Sequence, residues 1–155
     1  MKVQEIMTKA PACCTPKDEV AAAAEIMRQF DVGIVPVTDK VNAHPKLVGV
    51  VTDRDLCLKV LAAGKDPGSV TVSDCMSTTL TVCMPSESIE QILRRMGRFK
   101  VRRLPVVDRN SEVLGIVSLD DVVRLKAARE SDICKAMAAI CTPAKAARVA
   151  GKTAA

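Results

Sequence analysis

Apolar residues along the chain recur with two periods. Val20, Ala23, Ala24, Met27 and Phe30 stand at i, i+3, i+4, i+7 and i+10, the stripe of an amphipathic helix. Ile89, Ile92, Leu93, Met96 and Phe99 repeat it, and Pro16 and Pro85 precede the two stripes, where a helix start tolerates proline. Each predicted helix is followed by a short β-branched run containing proline, GIVPVTD at 33–39 and RRLPVVD at 102–108. A second apolar run then follows, KLVGVVT at 46–52 and EVLGIVS at 112–118. Pro36 and Pro105 each remove a ladder donor, which places their strands at a sheet edge or beside a bulge. Beyond Arg124, the spacing of Ile133, Met137 and Ile140 predicts one more short helix, and TPAKAARVAGKTAA at 142–155 reads as a frayed end.

These runs form a duplication. Residues 3–37 match residues 72–106 at a constant offset of 69, which shortens to 66 after the hairpin loop. The difference falls in the loop, where an insertion is easily accommodated. Each repeat reads strand, helix, strand, hairpin, strand, helix, so the expected fold is α/β (α+β). Two halves of about sixty residues are too small to be comfortable alone, and they are expected to pack about a pseudo-twofold axis. The organisation is repeat 1 over 1–66 with the start of a connector, repeat 2 over 67–126, and a C-terminal helix and basic tail over 127–155.

Composition narrows the function classes. A hydrophobic content of 48% and a charged content of 26% are those of a globular protein, and no apolar run is long enough to span a bilayer. MKVQEIMTKAP lacks an apolar signal core, so the expected location is cytoplasmic, with no membrane partner. Seven cysteines without a C-x-x-C pair suggest reduced thiols rather than disulfides or a zinc ribbon. His44 is the single histidine, and no metal site is expected. Residues 126–155 carry 6 basic against 2 acidic residues, so most of the net charge of +5 lies in the tail. With no Trp or Tyr and two Phe, the chain lacks stacking platforms for single strands, and nucleic acid is an unlikely partner.

Two short stretches carry the candidate chemistry. Gly49-Val50-Val51-Thr52-Asp53-Arg54-Asp55 and Gly115-Ile116-Val117-Ser118-Leu119-Asp120-Asp121 are copies of G-h-h-S/T-x-x-D. Locally, S/T-x-x-D is a helix capping box; its duplication in register argues for a site as well. With the VPVTD and LPVVD runs and the duplicated element order, residues 3–125 resemble a tandem pair of CBS (cystathionine β-synthase) motifs, a Bateman module. LAAGKDP and AICTP further resemble small stand-alone bacterial pairs of the hypoxic response protein 1 type.

The resemblance implies a regulatory module, not an enzyme, that holds an adenine nucleotide (AMP, ADP or ATP, with NAD possible) in clefts between the repeats and has no catalytic cofactor. It places Asp55 and Asp121 on ribose hydroxyls, with Thr52 and Ser118 near ribose or phosphate. It puts Thr8, Ala10 and Ala12 of the first opening segment, and Thr78 and Leu80 of the second, around adenine. Val32, Gly33, Val101, Arg102 and Arg103, before the proline-containing strands, complete the set with Arg54. A homodimer formed through helices and an unknown protein target are the implied partners.

A carboxylate suits ribose hydroxyls and is a poor neighbour for phosphate, which prefers arginine forks. Residues 94–103 hold six cations and no acid. Since Gly33 and Ile34 match Arg102 and Arg103, the cleft using Asp121 is expected to hold phosphate better than the one using Asp55. Arg94, Arg95 and Arg98 are expected on a solvated helix face, Met27 and Met96 in the core, and His44 in an exposed loop. The competing function is a ligand-independent scaffold or stress-response protein with vestigial clefts. No nucleophile-base pair or Walker loop supports an enzyme.

Overall fold

The computed structural model describes residues 1–40 and 43–143. The elements are β1 (Thr8–Lys9), α1 (Val20–Phe30), β2 (Ile34–Thr38), β3 (Leu47–Thr52), α2 (Asp53–Leu56), α3 (Ile89–Phe99), β4 (Arg103–Val107), β5 (Val113–Ser118), α4 (Leu119–Arg124) and α5 (Glu130–Cys141). A π-helical turn, Cys57–Leu61, continues α2, and single 3-10 turns stand at Val3–Glu5 and Val72–Asp74.

The hairpins form as expected. β2 pairs antiparallel with β3, and β4 with β5, with Pro36 opposite Val50 and Pro105 opposite Ile116. Both proline-bearing strands lie at sheet edges, and in both the register shifts one residue after the proline's neighbour, at Val37/Thr38 and Val106/Val107. A missing donor is tolerated in just such places.

The opening segment of each repeat crosses to the other. β1 pairs with β5, Thr8 opposite Ile116, and the matching residue Ser77 bridges Val50 of β3. The second opening strand is thus reduced to one bridge. The exchange continues upstream: Val3 N–H donates to Glu87 O at 3.0 Å, and Val72 N–H to Asp18 O at 2.8 Å. It extends into the cores, where Val3 and Ile6 pack with Ile89, Leu93 and Met96, while Val72 and Cys75 pack with Val20, Ala23 and Met27. The repeats meet on the pseudo-twofold axis through Leu47 N–H to Ser111 O at 2.9 Å and Val113 N–H to Pro45 O at 3.0 Å.

The helices break this symmetry. α3 buries Ile89, Ile92, Leu93, Met96 and Gly97 because α5 covers its second side. A Cβ added at Gly97 would lie 3.1 Å from that of Ala139, so glycine is what allows the close crossing. The matching residue of α1 is Arg28, an exposed side chain paired with Glu25 at 2.6 Å, and α1 buries only Val20, Ala23 and Met27. The expected core stripe is therefore corrected at Ala24, Phe30 and Phe99. Ala24 has no covering helix and is exposed. The two phenylalanines lie in the last turn, beyond the sheet, and are 55% and 51% exposed. Arg95 is also corrected: it is not solvated but bonds Val82 O and Glu87, each at 2.6 Å. α5 confirms the helix expected from Ile133, Met137 and Ile140, which pack against the α3 core. The frayed end expected for 142–155 lies outside the described residues from 144 onward.

Candidate functional site

Both S/T-x-x-D stretches are complete capping boxes. Thr52 Oγ1 accepts from Asp55 N–H at 3.2 Å, and Asp55 Oδ2 accepts from Thr52 N–H at 3.0 Å and from its hydroxyl at 2.7 Å. Ser118 and Asp121 repeat the arrangement at 3.0, 3.0 and 2.6 Å. In each acid the other oxygen meets one cation, Asp55 Oδ1 with Lys59 at 2.9 Å and Asp121 Oδ1 with Arg124 at 3.0 Å. A carboxylate oxygen offers about two lone pairs. Oδ2 is therefore filled by the cap, while Oδ1 keeps a free acceptor position. Burial raises the Asp55 pKa, but hydrogen bonds from Lys59 and Thr52 outweigh it and hold the carboxyl below its ordinary value. The group is ionised at neutral pH, the form that accepts hydroxyl protons.

The strand exchange decides what faces each acid. One cleft, of about 450 Å³, joins Ser118 and Asp121 to Thr8, Ala10 and Ala12 of the first opening segment and to Val32, Ile34 and Arg103. The other, of about 430 Å³, joins Thr52, Arg54 and Asp55 to Ser77, Thr79, Leu80 and Thr81, and to Gly33, Val101, Arg102 and Arg103. Each cleft thus combines the acid motif of one repeat with the opening segment of the other. Thr78, expected at the site, lines neither cleft, whereas Ser77, Thr79, Leu80 and Thr81 line the Asp55 cleft.

The expected allocation of basic residues is corrected as well. Arg102 lines the Asp55 cleft and not the Asp121 cleft, and Arg103 lines both. Because the repeats interlock, a residue that precedes β4 enters the cleft of the other repeat's acid. Phe30, the last residue of the helical stripe, lines the Asp121 cleft with Ile26 and Asp31. Lys100 lines the Asp55 cleft. Asp31 and Lys100 are matching residues that end α1 and α3 in the left-handed conformation, at φ 51° and 56°. Their shared place after the helical stripe was the available signal.

The motif glycines owe their place to the crossing segment. A Cβ at Gly115 would lie 2.6 Å from the Thr8 carbonyl, and one at Gly49 would lie 2.8 Å from Met76 Sδ and 3.2 Å from Ser77 O. Ala10, at φ 46°, turns the first opening segment away from β1 into the cleft. Such a conformation is uncommon for a residue with a Cβ.

The cysteines divide by burial. Cys14, Cys75 and Cys83 are buried, and Cys57, Cys134 and Cys141 are exposed; all are free thiols. Burial pushes Cys14 and Cys83 up to about 12. His44 is exposed and contacts Glu112 at 2.9 Å. Among the described residues, no group of three His, Cys, Asp or Glu is placed to hold a metal ion, and no helix is long and apolar enough to cross a membrane.

Two interlocked β-α-β-β-α repeats with an S/T-x-x-D acid at each inter-repeat cleft define a paired regulatory module. The CBS domain model matches residues 3–62 and 72–128, and the chain belongs to the CBS domain family. It is 37% identical over 129 residues to the CBS domain-containing protein YhcV of Bacillus subtilis, covering 83% of this chain and 88% of that one. It is 32% identical over 140 residues to hypoxic response protein 1 of Mycobacterium tuberculosis, covering 90% and 94%. The crystal structure of hypoxic response protein I, which holds two coordinated zinc ions, superposes with a TM-score of 0.71 at 31% identity, over 80% of this chain and 98% of that one. A CBS domain pair in complex with 5′-methylthioadenosine and S-adenosyl-L-methionine matches with a TM-score of 0.71 at 27% identity, over 81% and 95%.

Proposed function

We propose that the chain is a cytoplasmic, non-enzymatic sensor that binds adenosine-containing ligands in its two clefts and signals their presence to a protein target. The observation that carries this reading is the Asp55 and Asp121 geometry. Each acid is fixed by its own cap, is half-buried at a cleft, and keeps an acceptor position on Oδ1. That position suits a ribose hydroxyl, and the apolar wall beside it suits an adenine ring. AMP, ADP, ATP and NAD are the first candidates. The 5′-methylthioadenosine and S-adenosylmethionine of the related pair widen the class to adenosine ligands without phosphate.

Ligand binding switches a partner only where the ligand prefers one arrangement of the repeats. Because the Asp55 and Asp121 clefts each join both repeats, a ligand there acts on their relative position. The exposed Leu58 and Leu61 after α2, with Val123 and Leu125 around the end of α4, support a homodimer formed through these helices.

Calorimetric titration of ligand-stripped protein with AMP, ADP, ATP and NAD tests the reading, together with thermal shift. A ligand at 100 times its Kd stabilises the folded state by about 2.7 kcal/mol, so a rise in Tm accompanies binding. Silence from all adenosine ligands would overturn it in favour of a ligand-independent scaffold.

A further inference from the structure

Aligned by the repeat, the two clefts share most of their lining positions, and their charges reverse. Asp31 stands where Lys100 stands, Asp120 where Arg54 stands, and the neutral Gly33 and Ile34 where Arg102 and Arg103 stand. The Asp121 cleft is lined by three carboxylates, Asp31, Asp120 and Asp121, against Lys9 and Arg103. The Asp55 cleft is lined by four cations, Arg54, Lys100, Arg102 and Arg103, against Asp53 and Asp55. Arg103 is common to both, but the Asp120 carboxylate lies 3.7 Å from its guanidinium. Shared in this way, Arg103 does not distinguish the clefts; Asp31 and Asp120 on one side and Arg54, Lys100 and Arg102 on the other do. At about 450 and 430 Å³ the clefts are alike in size, so charge rather than room separates them.

Resting on the reading that both clefts take adenosine ligands, we infer that they divide those ligands by charge. The Asp55 cleft takes a phosphorylated nucleotide, and the Asp121 cleft takes an adenosine ligand whose 5′ substituent is neutral or cationic. Two arginines and a lysine offer phosphate oxygens the charge-assisted, forked hydrogen bonds they prefer. Three carboxylates within one cleft repel a phosphate at separations shorter than the screening length of about 8 Å at physiological salt. The same carboxylates attract an ammonium group.

The test is calorimetry on the ligand-stripped full chain with ATP, adenosine and 5′-amino-5′-deoxyadenosine. ATP is expected to bind at one site per chain and to weaken at least tenfold in Arg102→Ala. The amino nucleoside is expected to bind at one site, to ignore Arg102→Ala, and to weaken at least tenfold in Asp31→Asn/Asp120→Asn. The decisive variant moves the charges: Asp31→Lys/Asp120→Arg is expected to add a second ATP site. Both positions tolerate the change, since Asp120 is 83% exposed and Lys100 already adopts the left-handed conformation of Asp31. Two equivalent ATP sites in the unmodified chain, indifference of ATP to Arg102→Ala, or no added site in the charge-moved variant would overturn the division while leaving adenosine binding intact. Silence from all three ligands would sink the underlying reading and this one together.

Discussion

Asp55 and Asp121 each close a helix cap, and the ribose contact proposed for them can be separated from that cap by mutation. The cap uses Oδ2 and the Thr52 or Ser118 hydroxyl, whereas the position offered to ribose lies on Oδ1. Thr52→Ala is expected to cost about 1 kcal/mol of stability through the lost cap, and to lower ligand affinity less than removal of the carboxylate does. Asp55→Ala is expected to cost a similar amount of stability and to lose affinity at least tenfold, measured by chemical denaturation and titration on the same samples. The pH dependence has a definite sign. The folded-state pKa of Asp55 is lowered, so its stabilisation is complete above the ordinary carboxylate pKa of about 3.9. It disappears as pH falls through the lower folded value. Denaturation midpoints taken from pH 6 downward should therefore fall less steeply in Asp55→Asn than in the unmodified chain. A hydrophilic alkylating reagent should modify Cys57, Cys134 and Cys141 readily under native conditions and leave Cys14 and Cys83 until unfolding, because both are buried and stay protonated.

At the level of elements, the crossing of the opening segments connects fold to site. Gly115→Ala drives a Cβ into the Thr8 carbonyl, a backbone atom, whereas Gly49→Ala meets first the end of the flexible Met76 side chain. Gly115→Ala is expected to destabilise by about 1–3 kcal/mol and to displace β1 from the Asp121 cleft, and Gly49→Ala to cost less; paired Tm and affinity measurements check both. On α3, Arg95→Ala should destabilise by about 1–2 kcal/mol because it leaves Glu87 and the Val82 carbonyl without their partner. Arg94→Ala and Arg98→Ala, on exposed positions, should stay within about 0.5 kcal/mol. The helices, hairpins and duplication were legible in the sequence because each follows from a local period or a proline. The strand exchange was not. It is made by backbone bonds between segments far apart in the chain, Thr8 with Ile116 and Val3 with Glu87 among them, and nothing in TKAPA or STTLT states which repeat it joins. For the same reason the motif acids and basic residues were recognised, while the cleft entered by Arg102 was misassigned. Asp31 and Lys100 carry no periodic signal, since each lies just past the end of its helical stripe.

Over the whole molecule, duplication supplies two similar clefts and sequence divergence makes them chemically different. α5 covers only the second repeat's helix, with Gly97 against Ala139, so the outer surfaces of the two halves differ as well. If both clefts take ligands as proposed, one ligand is expected to alter the affinity for the other, because both would act on one inter-repeat arrangement. The central claim is that the S/T-x-x-D acids hold the ribose of an adenosine ligand at clefts made by strand exchange. A crystal structure of the chain grown with ATP tests it most directly. The prediction is adenosine density in the Asp55 cleft, with a ribose hydroxyl within hydrogen-bond distance of Asp55 Oδ1 and phosphate against Arg102. Both clefts empty at saturating ATP, or nucleotide bound with its ribose away from Asp55 and Asp121, would contradict it.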